Sequence, residues 1–95
     1  MHETGIVRDL VSRLLSAVRE SGASSVSEVH VWVGALTSFS PGHFEEHFEQ
    51  EVRGTPAEGT KLHIEVSQDV LHPQAQQVIL KEFDLQVPDK DGEAQ

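Results

Sequence analysis

The sequence contains no cysteine. That excludes disulfides, thiol catalysis, iron–sulfur clusters and any zinc site built on thiolates, so a metal here would have to use histidine, carboxylate or backbone groups. There is no run of about 18 apolar residues, so no transmembrane helix is expected. The start lacks the basic-then-apolar order of a signal peptide, and the expectation is a soluble, cytoplasmic protein. Basic charge is also scarce: 7 Lys and Arg stand against 16 Asp and Glu, a net charge of −9. Nucleic acid calls for a basic face, and an anionic membrane surface is disfavoured for the same reason. No Gly-rich phosphate loop or nucleophile elbow occurs, and no Ser, His and Asp spacing singles out a triad.

What is present fits a single small domain, since 95 residues bury only about 60–70% of the surface of the unfolded chain. Over residues 4–20, Ile6, Val7, Leu10, Val11, Leu14, Leu15 and Val18 recur at steps of three and four, which predicts an amphipathic helix. Thr4 is placed to cap its start and Gly22 to stop its end. Residues 26–35 alternate, with Val29, Val31, Val33 and Ala35 on one side and Glu28, His30 and Trp32 on the other, as in a strand with one buried face. Ser40 before Pro41 marks the start of a second helix over 41–52, whose apolar side is Phe44, Phe48 and Val52, with Gly54 ending it. Residues 60–66 predict a strand with Leu62, Ile64 and Val66 inward, and residues 79–87 another with Phe83, Leu85 and Val87 inward. Between them, 67–77 is a polar connector with room for one helical turn.

The expected fold class is therefore α+β. Two layers are expected, with two helices on one face of a three-stranded sheet and elements in the order α-β-α-β-β. Residues 1–88 would form the domain and 89–95 a flexible acidic tail. The other sheet face would carry His30, Trp32, Lys61, His63 and Glu65. An aromatic on an uncovered face suits either a ring lying flat on the sheet or a contact with a partner, and His30, Trp32 and His63 are the candidate partner face. An exposed edge strand also leaves homodimer pairing open.

Two groupings could hold a metal. The first is Met1-His2-Glu3. A free terminal amine, the amide nitrogen of His2 and one imidazole nitrogen can close adjacent small chelate rings, and three nitrogens near one plane suit Ni(II) or Cu(II). Binding displaces protons, and a terminal amine titrates near ~8, so affinity should rise with pH. Any chain starting Met-His has these atoms, so the motif alone identifies nothing. The second is "HFEEH", in which His43 and His47 share a helix face and Glu46 completes the pattern of an inverted zinc-protease motif. Such an enzyme needs a third ligand on another element and a larger scaffold. The expectation for His43 and His47 is a solvated helix face with at most an adventitious metal, and no enzyme.

The combination of blocks carries more than either grouping. "MHETGIVRDLV", "VGALTSFSP" and "FEEHFEQEVRGTPAEGTKLHIE", in this order and spacing, resemble the HypA/HybF family of nickel-insertion proteins across about residues 1–66. The resemblance implies a nickel-binding domain of order helix, strand, helix, strand and closing strand. It also implies Ni(II) bound by Met1, His2 and Glu3, and partners that are a nickel-enzyme apoprotein, such as that of NiFe-hydrogenase, or a maturation GTPase. The sequence departs from the family where a zinc module with two Cys-x-x-Cys pairs is expected between the last two strands. "SQDVLHPQAQQ" stands there instead, and no structural zinc is expected. The rival expectation is a non-metal interaction module of the same fold, a scaffold or regulator in maturation.

Overall fold

A computed structural model describes residues 3–37 and 39–88, with side chains from Gly5 onward. The elements are α1 (Glu3–Ser21), β1 (Ser25–Val33), α2 (Pro41–Val52), β2 (Lys61–Val66) and β3 (Val78–Gln86). The sheet order is β2-β1-β3, with β1 parallel to β2 and antiparallel to β3. Both helices cover one face, as the apolar pattern requires. The acidic tail lies outside the described residues. Among the described residues no helix is long and apolar enough to cross a membrane.

α1 buries Val7, Leu10, Val11, Leu14 and Val18. It begins at Glu3, so Thr4 lies within its first turn and not at the cap expected from the sequence. Its end follows expectation. Gly22 adopts φ +74, and the amides of Gly22 and Ala23 donate to the carbonyls of Arg19 (3.3 Å) and Val18 (3.1 Å). This paired 5→2 and 6→1 closure is open to glycine because it has no Cβ to clash in the left-handed region. α2 starts on Ser40 with extended backbone and Pro41 at the first position, although the Ser40 hydroxyl makes no cap bond. Phe44 and Phe48 are fully buried beneath it.

The sheet departs from plain alternation at two places. On β1, Val26 pairs with Leu85 and Glu28 with Asp84, so Ser27 is an extra residue; this lets Val26 and Val29 both face the core. On β3, Glu82 pairs with His30 and Leu80 with Val31, which makes Lys81 the extra residue and turns Leu80 inward beside Phe83. Such bulges flip the side-chain phase locally, and periodicity does not reveal them. Two inward assignments fail at the strand ends. Val66, the last residue of edge strand β2, is 46% exposed, and Val87 lies beyond β3 at 61%. Ala35 likewise falls in the turn after β1 and is only partly buried.

The connector from β2 to β3 must cross the end of β1, because those strands flank it. It does so through successive hydrogen-bonded turns and forms no helical turn: the amides of His72, Ala75 and Gln77 donate to the carbonyls of Asp69, His72 and Gln74. It is clamped to β1 where Gly34 donates to Gln77 O (2.9 Å) and Leu36 to Ala75 O (2.8 Å). A Cβ at Gly34 would sit 2.3 Å from the Ala75 carbonyl oxygen. Glycine is required there by the close approach of two backbones.

Candidate functional site

The amino-terminal candidate is only framed by the described structure. Met1 and His2 lie outside it, and Glu3 contributes its backbone as the first residue of α1. The helix that begins at Glu3 is anchored in the core by Val7 and Leu10. Beside its first turns and β3 opens a cleft of about 470 Å³, lined by Ile6, Leu10, Val78 and Leu80 with the Asp9–Arg13 ion pair (3.0 Å). A cluster of metal-ligating side chains is not among its lining residues.

Phe44 and Phe48 direct one side of α2 into the core, leaving His43 and Glu46 exposed and His47 half-buried. Among the described residues, no third His, Cys, Asp or Glu converges with His43 and His47.

The uncovered sheet face does gather its residues. His30 and His63 are direct neighbours in the parallel register of β1 and β2. Their rings stack with centroids 4.4 Å apart and planes 11° from parallel. Glu28, two residues before His30 and so on the same face, reaches both: its Oε1 lies 3.0 Å from His63 Nε2 and 3.7 Å from His30 Nε2. One potential ligand atom from each of the three lies within 4.8 Å of the others. Lys81 and Glu65, from the two outer strands, form an ion pair (3.6 Å) across β1. A cleft of about 170 Å³ lies over the rings, lined also by Glu82.

Trp32 belongs to the same face. It is partly buried, and His72 of the connector tilts against it at 4.8 Å and 45°. His72 Nδ1 accepts the Gln74 amide (2.9 Å), so the ring presents its other nitrogen outward from that turn. The structure thus brings His30, Trp32 and His63 onto one face as the alternation implied, and adds Glu28 to the histidine pair. Alternation puts Glu28 on that face but gives no reason to single it out; that needs the β1–β2 register.

Comparison with known proteins places these features in a family context. A family model described as hydrogenase/urease nickel incorporation, metallochaperone, hypA matches residues 1–83. Among curated relatives, the hydrogenase maturation factors HypA of Methanopyrus kandleri and Aquifex aeolicus are 32% and 36% identical over 66 residues. Those residues are 70% of this chain and 46% and 57% of the respective relatives. The HypA of Archaeoglobus fulgidus is 35% identical over 66 residues, again 70% of this chain and 60% of that relative. The chain therefore spans about half the length of the curated relatives it matches. The solution structure of the Ni metallochaperone HypA from Helicobacter pylori superimposes with a TM-score of 0.77, covering 93% of this chain and 100% of that one; at 15% identity this is a likeness of fold.

Proposed function

The chain belongs to the HypA family, and from that premise we propose that it is a carrier that binds Ni(II) at its amino terminus for insertion into a nickel enzyme such as a hydrogenase. The carrying observation is that the family match begins at Met1 and runs through residue 83, so it includes the Met1-His2-Glu3 segment. The cargo ion would be held by the terminal amine, the His2 amide and the His2 imidazole, with Glu3 contributing its backbone or carboxylate. Glu3 is also the first residue of α1, where a negative side chain is favoured by the helix dipole. Nitrogen donors of this kind let go when amine or amide regains its proton. That gives a carrier a simple release step without any redox chemistry. The reading requires a free amino terminus at Met1, and acetylation would abolish the site.

The test is a Ni(II) titration of untagged protein followed by the visible absorption of planar, amide-bound nickel. His2→Ala and amino-terminal acetylation should each remove that signal. Retention of the planar signal in His2→Ala would overturn the assignment. The signal should strengthen as pH rises through the amine's range, because the deprotonated form is the ligand.

A second reading rests on the connector and its surroundings. Val70 and Leu71 are 54% and 88% exposed, and Leu36 across the clamp is 48% exposed. Apolar side chains grouped at one end of the sheet suit contact with a maturation partner, an apoenzyme or a GTPase, acting through a scaffold role with no metal. Nickel-independent binding to such a partner, lost in Leu71→Asp, would favour it.

A further inference from the structure

We propose that Glu28, His30 and His63 form a second divalent-cation site, on the uncovered face of the sheet and independent of the amino terminus. Two imidazoles and one carboxylate are a donor set for first-row cations of intermediate softness, and with three protein ligands the ion keeps a position open for water. The probe that fits the set best is Zn(II), which has no geometric demand from its d electrons.

Three separations within this one set of side chains support the site. Both Nε2 atoms aim at the same carboxylate oxygen, 3.0 Å and 3.7 Å away. Only the 3.0 Å contact is within hydrogen-bond distance; a cation would engage both nitrogens and the oxygen together. Ligands of tetrahedral zinc stand roughly 3.3 Å apart, given bonds of about 2.0–2.1 Å. The Glu28–His63 and Glu28–His30 separations already lie near that value. The widest separation in the group is at most 4.8 Å, so closure takes a shift of about 1.5 Å or less, within reach of ring rotation. The parallel stacking has to open into a tilt for both lone pairs to meet the ion.

The backbone holds this set in place. His30 and His63 face each other through strand register, and β1 is the central strand, bonded on both sides. The ligands are half exposed, at 38% to 42%, and His30 and His63 line the cleft, so an ion can enter along the rings. The nearest lysine in that cleft, Lys81, is engaged by Glu65, and Glu82 stands opposite His30 in the antiparallel register. The cleft thus adds carboxylates and a neutralised ammonium. The overall charge of −9 favours cation arrival further.

The experiment uses the full chain carrying His2→Ala, which removes the amino-terminal chelate, and follows histidine imidazole resonances by NMR as Zn(II) is added. The expected result is that His30 and His63 shift together and saturate at one equivalent. His63→Gln or His30→Gln should weaken binding by more than the roughly 10–100-fold that loss of a mere outer partner gives. Glu28→Gln should weaken it too, and His43→Gln should leave it unchanged. Amide spectra of each metal-free variant verify the fold. If Zn(II) shifts only His43, His47 or His72, or if the His30→Gln and His63→Gln proteins bind as the parent does, the site is not there.

Discussion

Two histidine pairs in this molecule have opposite origins. His43 and His47 are four residues apart on one helix, a spacing visible in the bare sequence, yet no third ligand among the described residues joins them. His30 and His63 are 33 residues apart and have no sequence motif, yet their rings stack at 4.4 Å with Glu28 reaching both. A helix supplies a pair of side chains on one face and nothing more. A sheet supplies a grid, in which neighbours along and across strands meet at fixed positions, and three ligands can converge without a motif.

That contrast can be broken or sharpened by substitution. The largest effect is expected at Phe48, fully buried beneath α2: Phe48→Ala should cost about 3–5 kcal/mol by urea unfolding. Such a loss would mean that α2 is there to pack, with His43 on its exposed side and His47 at the edge of the packed face. A cost under about 1 kcal/mol would return α2 to consideration as a functional element. Zinc at 100 times its dissociation constant should stabilise the His2→Ala protein by about 2.7 kcal/mol. The gain should vanish in His63→Gln and persist in His43→Gln; the reverse would invert the comparison. Gly34→Ala should cost about 1–3 kcal/mol by forcing two backbones apart, and it should disturb Trp32 fluorescence through His72 while sparing the His30–His63 stack. Smallest of all, metal-free His63→Gln and His43→Gln should each change stability by less than about 1 kcal/mol, as expected for a half-exposed polar contact at His63 and an exposed side chain at His43. A larger loss at His63 would mean that the stack is structural in its own right.

Much of the fold was legible in the sequence because its elements are locally coded. α1 and α2 follow from apolar steps of three and four, and the stop of α1 at Gly22 and the start of α2 at Pro41 follow from backbone chemistry. The uncovered face was legible too: alternation places Glu28, His30 and Trp32 together, and His63 with Lys61 and Glu65. What could not be read was adjacency. Nothing local says that β1 lies between β2 and β3, or that His63 stands beside His30 and not two residues along. The bulges at Ser27 and Lys81 were hidden for the same reason, since each is defined against a partner strand. The strand-end misassignments of Val66 and Val87 come from treating a period as if it continued to the end of the apolar run.

Ser67 donates to Val33 O (2.9 Å) on one side of the crossing, and Gly34 and Leu36 engage Gln77 and Ala75 on the other. Residues 68–74 arch between these two fastenings. Lengthening an arch whose feet are already fixed costs only about 0.6 kcal/mol for each doubling of its span. The sheet is therefore a foundation indifferent to how much is built on that spot. A longer insert could rise there over the same ground plan, where this chain closes the gap with a few turns.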